Sequence, residues 1–276
     1  LTTNSTVWTV GQRPARSQRK GRYLAESTAH PGKMLPELAR RAVDAFTMPG
    51  DLVVDPMCGI GTSLVEAAHL GRDCFGIEYE PRWAVLAQGN LALARADGAP
   101  GSGEVVVGDC RHLASLVPGE MVGQVNLVLT SPPYGPSTHG HVAFDGSRAR
   151  KANGRYSADR TNLAYAGRAS LLDAMTTMLG AARHVLAPNG VVVLTARPWR
   201  RDGVLIDLPG ILVRLAGGAG LRLVERDVAL LAAVRDGGLV PRASFFQLKD
   251  VRAARARGVP HRVIAHEDVL VFGRSS

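Results

Sequence analysis

Cysteine, aromatic residues and long apolar runs are what this chain has least of. Three cysteines, Cys58, Cys74 and Cys110, stand among its 276 residues. None is part of a CxxC pair or a His/Cys cluster, which argues against a disulfide framework and against a zinc site. The expectation is no bound metal and reduced, buried thiols. Aromatic residues are 5% of the chain, and no apolar run approaches the roughly 18 residues that a membrane span needs. The opening stretch LTTNSTVWTVGQRPARSQRKGR lacks the apolar core of a signal peptide. These absences predict a soluble, cytoplasmic protein.

What is present is a sizeable core and a surplus of positive charge. Hydrophobic residues make up 46% of the chain, enough for one α/β domain with a full interior. Lys and Arg outnumber Asp and Glu by 33 to 24, a net charge of +9, and such a surplus favours phosphate-bearing partners. The charge gathers in three places. Arg13, Arg16, Arg19, Lys20 and Arg22 lie in a basic leader over residues 1–29; Arg148, Arg150, Lys151, Arg155 and Arg160 lie in an insertion at about 136–168; Lys249, Arg252, Arg255, Arg257 and Arg262 lie near the end. Residues 30–276 are expected to form a single domain.

From residue 50 short apolar runs alternate with helical patterns, the signature of βαβ units around a parallel sheet. Strands are expected at Leu52 to Asp55, Cys74 to Glu78, Glu104 to Gly108 and Asn126 to Thr130. Three more follow in VVVLTAR, after the turn Pro188-Asn189-Gly190, in LRLVERDVALL and in HEDVLVFG. Helices are expected from about Ser63 to Leu70, from Pro81 to about Arg95, through ASLLDAMTTMLGAARHVL, and around Leu208 to Leu215. Seven strands with crossover helices predict a doubly wound, mostly parallel Rossmann-like sheet with helices on both faces, whose ligands bind at the carboxyl ends of the strands.

Chemistry-bearing residues collect on that edge. In VVDPMCGIGTSLVEA, Asp55 ends a strand, and Gly59 and Gly61 allow a tight turn into a helix whose first N–H groups are free. Glu78 ends the next strand in GIEYE, where a carboxylate can accept both hydroxyls of a ribose. Asp109 ends the third in VVGDC and can accept from an adenine amino group. With Asp55 able to receive an ammonium, the three acids fit S-adenosylmethionine better than a pyrophosphate cofactor.

TSPPYG follows the fourth strand. Prolines there stiffen the loop and remove competing donors, so that the Pro132 carbonyl and the Ser131 hydroxyl can hold the N–H groups of an exocyclic amine. Tyr134, beyond Pro133, offers a face on which an extruded base can stack.

DPMCGIGT, GIEYEP, GDCR and TSPPYG resemble the cofactor-binding and catalytic motifs of the DNA amino-methyltransferases, with the cofactor motif preceding the catalytic one. The resemblance covers about residues 28 to 135 and, less fully, HEDVLVF. It implies a class I methyltransferase fold. It implies cofactor contacts from Asp55, Pro56, Cys58, Gly59, Gly61, Thr62, Glu78, Tyr79, Asp109 and Cys110, and catalysis by Ser131, Pro132, Pro133 and Tyr134. HPGKMLPEL resembles the segment that holds the methionine part of the cofactor, which points to His30, Pro31 and Lys33. Serine before Pro-Pro-Tyr looks more like the cytosine-N4 enzymes, whereas Asp or Asn is usual for adenine-N6. A carbon-5 cytosine enzyme would need a nucleophilic cysteine in this loop, and none lies there.

DNA is the expected partner, with RNA as the alternative. A non-catalytic nucleic-acid-binding module is a further alternative, against which the intact acids and SPPY count. Recognition is expected in the leader or in the insertion, where Arg148, Arg150 and Lys151, with Arg155 and Tyr156, can line a nucleic-acid channel. His139 and His141 read as loop residues, and KDVRAARARG as a solvated helix or a phosphate contact.

Overall fold

The computed structural model describes residues 5–133, 141–145, 148–152, 157, 159, 162, 163, 165, 167–201, 204–242 and 245–275; for 141–145, 148–152, 168, 201, 245 and 246 this is the backbone only. The leader contains a two-residue strand β1 (Val7–Trp8) and a short helix α1 (Ala15–Arg19), and leads through a 3-10 turn at Ala25–Ala29 to α2 (Pro36–Phe46). Three βα units follow: β2 (Leu52–Asp55) and α3 (Thr62–His69), β3 (Asp73–Glu78) and α4 (Pro81–Ala96), β4 (Gly103–Val107) and the one-turn α5 (Leu113–Leu116). After β5 (Val125–Thr130) come the paired strands β6 (His141–Asp145) and β7 (Arg148–Ala152), then α6 (Arg168–Val185) and β8 (Leu186–Ala196). A small hairpin, β9 (Trp199–Arg201) with β10 (Val204–Ile206), precedes α7 (Leu208–Gly218) and β11 (Leu221–Leu230). A second hairpin, β12 (Ala232–Arg235) with β13 (Gly238–Pro241), and the helix α8 (Phe245–Ala256) separate β11 from the final strand β14 (His266–Arg274).

Eight strands form the main sheet in the order β1-β11-β14-β8-β5-β2-β3-β4. The seven expected strands are all in it, and β1 extends it by pairing in parallel with β11. Only β14 runs against its neighbours, β11 and β8. Side chains alternate between two layers as the period of a strand requires. Val53, Leu127, Leu129 and Val193 pack against α2, α3, α4 and the leader, whereas Val54, Val128, Val192 and Leu194 pack against α6 and α7.

Strand β8 begins earlier than its sequence predicts. Pro188, Asn189 and Gly190 read as a turn; they lie within the bounds of the strand, which starts at Leu186 opposite Val125, but they have no partner on β5. A register shift absorbs them. A Cβ at Gly190 would sit 2.4 Å from the Val125 carbonyl oxygen, so glycine lets the two backbones close there.

The basic leader is held to the domain. Tyr23 Oη donates to Glu66 Oε1 over 2.8 Å, and Arg22 pairs with Glu66 Oε2 at 2.7 Å. Asn90, fully buried in α4, accepts from the Leu24 N–H (2.8 Å) and donates to the Ile60 carbonyl (2.8 Å). These bonds bring the leader, α3 and the turn after β2 into one network, just ahead of His30.

Candidate active site

Chain order along the sheet reverses between β2 and β5, whose register pairs Val54 with Val128. Ligands of open α/β sheets bind above such a switch point. Here it sets the Gly turn after Asp55 beside Ser131. Both lie in one cavity of about 640 Å³ that extends across the carboxyl edge of the sheet, from Asp109 beyond β4 to Glu267 at the start of β14.

The cofactor half is built by the turn after β2. Gly59 and Gly61 take φ of 57° and 76°, the left-handed region that glycine enters without strain. The Cys58 N–H bonds the Ile77 carbonyl (3.0 Å), and the Gly59 N–H bonds Glu78 Oε2 (2.8 Å), which ties the turn to the end of β3. Glu78 Oε1 accepts from the Glu80 N–H (2.9 Å). Asp55 accepts from the Met57 N–H (3.0 Å) and from the Ser63 hydroxyl. Both carboxyls are almost fully buried. Burial pushes Asp55 up to about 6, against the opposing Ser63 hydrogen bond, and Glu78 up to about 7, against its two backbone hydrogen bonds.

His30 closes this half from above. It is buried, lies edge-on to Trp83 with ring centroids 4.8 Å apart, and would stand 3.0 Å from a Cβ on Gly59. Lys33 donates to the Thr28 carbonyl (3.2 Å) and to that of His30; burial, then the nearby Arg19, lower it to about 8. Pro31, Pro56, Thr62, Tyr79 and Cys110 line the cavity too. Gly61 shapes the turn from behind, against Ala87. Asp109 lines the cavity with its carboxylate held by Arg111, through bonds of 3.0 Å from Nε to both oxygens. The three cysteines are free and buried; burial raises Cys74 and Cys110 to about 12 and holds Cys58 well above the usual thiol range. They are unsuited to act as thiolates. Among the described residues no cluster of metal ligands occurs, and no helix is long and apolar enough to cross a membrane.

At the end of β5, Ser131 and Pro133 are half-buried and Pro132 is buried, and all three line the cavity. Tyr134, Arg155, Tyr156 and His139 lie outside the described residues, as do the side chains of His141, Arg148, Arg150 and Lys151.

Residues 2–88 match the family described as DNA methylase, the N6/N4 methyltransferases. That stretch of the chain is similar to the N4/N6 amino-methyltransferases. Curated relatives are similar to the chain over part of its length. A tRNA (guanine(10)-N2)-dimethyltransferase of Methanocaldococcus jannaschii is 33% identical over 121 residues, 44% of this chain and 34% of the relative. The type II methyltransferase M.XycI of Xanthomonas campestris pv. cyanopsidis is 34% identical over 91 residues, 33% of this chain and 27% of the relative. The chain thus spans about a third of the length of the curated relatives it matches. The crystal structure of TrmN from Thermus thermophilus superposes with a TM-score of 0.52 over 88% of this chain and 50% of that one, at 19% identity. The fold is therefore that of the class I methyltransferases.

S-adenosylmethionine is the cofactor of this amino-methyltransferase fold and family, and the cavity suits it. Asp55 and Glu78 are two buried carboxyls whose hydrogen bonds described above come from neutral donors, as an incoming ammonium and ribose require. Gly59 presents bare backbone between Glu78 and His30.

Several lining residues carry no signal in the sequence. Asn162 and Leu163 reach the cavity from the segment before α6, which is tied across the end of β3 by Tyr79 Oη to Asp159 (2.7 Å) and Asn162 Nδ2 to Glu80 (3.0 Å). The far wall comes from Arg197 and Trp199 after β8 and from Arg242, Gln247 and His261 between β11 and β14. Of these, only the basic stretch around α8 has a sequence cue, and it forms a helix as expected.

Proposed function

We propose that this chain is a site-specific DNA methyltransferase that moves the methyl group of S-adenosylmethionine to the exocyclic amine of a flipped-out base, cytosine N4 first and adenine N6 second. The observation that carries this reading is the adjacency of Ser131 to Pro133 and the Asp55 turn, on neighbouring strands and in one cavity. The cofactor supplies an electrophilic methyl on sulfur. The Pro132 carbonyl and Ser131 hydroxyl accept the two amine hydrogens, which localises the nitrogen lone pair and aims it at that methyl. The N–C bond forms as the C–S bond breaks, and the amine gives up one proton to solvent. Asp55 and Glu78 hold the cofactor, and Tyr134 stacks on the base.

A second reading takes RNA as substrate, with guanine N2 as the amine. It is favoured by the likeness to the Methanocaldococcus jannaschii tRNA (guanine(10)-N2)-dimethyltransferase, the same chemistry on a different base edge. The deciding experiment incubates the protein and labelled S-adenosylmethionine with DNA or RNA of mixed sequence and identifies the methylated nucleoside by mass spectrometry. N4-methylcytosine from DNA is expected; label confined to RNA moves the assignment to the second reading. Tyr134→Ala is expected to cut turnover strongly while leaving cofactor affinity nearly intact, and unchanged turnover would remove its stacking role.

A further inference from the structure

Strands β11 and β14 are antiparallel neighbours whose ladder ends with Leu230 opposite His266. A tight turn would join them. Residues 231–265 are inserted there instead, on the carboxyl edge of the sheet, because β14 runs against β8 and its start pairs Asp268 with Ala196 at the end of that strand. The insertion meets the leader. The Gly11 N–H bonds the Leu230 carbonyl (2.9 Å), a Cβ on Gly11 would stand 2.4 Å from the Ala232 nitrogen, and Arg242 donates to the Gly11 and Gln12 carbonyls at 3.2 and 2.8 Å. Leader, insertion and the β9–β10 hairpin thereby place Arg13, Arg242 and Arg200 on one cavity.

We infer that this wall, with Arg13, Arg200 and Arg242 on the phosphates, is the nucleic-acid-binding surface of the enzyme. The inference rests on the methyl-transfer reading above and extends it. Three observations support it. The arginines arrive from three separate elements and line the cavity that also holds Ser131, where a strand must cross to deliver a base. The acids of the same wall, Asp250 and Glu267, suit the amino donors of a base edge. The β12–β13 ribbon is packed on the leader at Ala232, buries Ala233 and projects Arg235 beside the exposed Val234, Leu239 and Val240, and a chain with net charge +9 favours a polyanion beside such a basic edge.

The test measures binding of fluorescent DNA and RNA duplexes and single strands over a series of salt concentrations, with cofactor affinity and nucleic-acid methylation measured alongside. Arg13→Gln, Arg200→Gln and Arg242→Gln are each expected to weaken binding of the preferred nucleic acid and to lower the slope of log K against log salt by about one unit. S-adenosylmethionine affinity is expected to stay within about twofold, which also reports an intact fold, since its site lies on the other strands. Arg95→Gln and Arg222→Gln, exposed and away from the cavity, serve as controls expected to behave as wild type. Arg13, exposed on the surface, keeps the test decisive should Arg242→Gln fail to fold. Unchanged slopes in Arg13→Gln and Arg200→Gln, with wild-type methylation of nucleic acid intact, overturn this inference alone. A wild-type chain that methylates neither DNA nor RNA overturns the methyl-transfer reading as well.

Discussion

Glu78 does two things at once. In the proposed reading its carboxylate receives ribose hydroxyls, and it already accepts from the Gly59 and Glu80 N–H groups. Glu78→Gln keeps a side-chain carbonyl for one N–H and is expected to fold while binding S-adenosylmethionine weaker by about 1 to 3 kcal/mol, measured by calorimetry. Glu78→Ala removes both acceptors and is expected to lower the unfolding midpoint as well. The acids also set a pH dependence. Asp55 at about 6 and Glu78 at about 7 hold protons more tightly in the folded, ligand-free protein than in the unfolded chain. Their contribution to stability is therefore full below about pH 4 and is lost as pH rises through about 6 and 7. Cofactor binding has the opposite sign, because it favours the ionised carboxylates. Affinity for S-adenosylmethionine is expected to strengthen from about pH 5.5 to about 7.5, by no more than about tenfold per unit for each proton released, and to level off above. A flat profile across this range would mean that neither acid meets the cofactor. Both acids are legible in the sequence, because the end of a strand is a local feature. Their shifted proton affinities are not, because burial comes from the layers above and below.

At the scale of elements, the turn after β2 depends on β3 beneath it. Gly76 lies under α3, where a Cβ would stand 2.5 Å from Leu64 Cδ1 and 3.0 Å from Cys58 Sγ. Gly76→Ala is expected to cost about 1 to 3 kcal/mol in denaturant unfolding, since the helix and the turn must move apart, and to weaken cofactor binding with it. Unaltered stability would show that α3 shifts freely. The strands from residue 50 to 130, with α3 and α4, fall within a residue or two of their expected bounds, because each is a short apolar run or a helical pattern bounded by turn residues; the one-turn α5 is an addition of the structure. Pro188 to Gly190 misled that reading. They fall within the bounds of β8, but they stand in the register shift between the pairs Val125–Leu186 and Leu127–Val191 and have no partner on β5.

At the scale of the whole molecule, the leader is bonded to the helices and the turn that are proposed to hold the cofactor. Asn90 links Leu24 to Ile60, and Glu66 is buried against Tyr23 and Arg22. Asn90→Ala leaves the Leu24 N–H and the Ile60 carbonyl without this partner and is expected to cost about 2 to 4 kcal/mol of stability. It is also expected to loosen the path into His30. Hydrogen exchange should then rise over residues 22–33, with a weaker cofactor complex; protection unchanged in that stretch would assign Asn90 to helix packing alone. Arg13 from the leader, Arg200 from the β9–β10 hairpin and Arg242 from the segment between β11 and β14 line one cavity.

The amino-acid sequence by itself determined the sheet, the three strand-end acids and the Ser131-Pro132-Pro133 loop, because each is written within a few residues of a strand whose apolar pattern is unmistakable. Tertiary structure alone decided that these meet above the β2–β5 switch point. It also decided that the far wall joins residues after β8 to residues between β11 and β14, which periodicity cannot place. Their position follows from the antiparallel closure of β14 between β11 and β8, a pairing of strands far apart in the chain that no local pattern encodes.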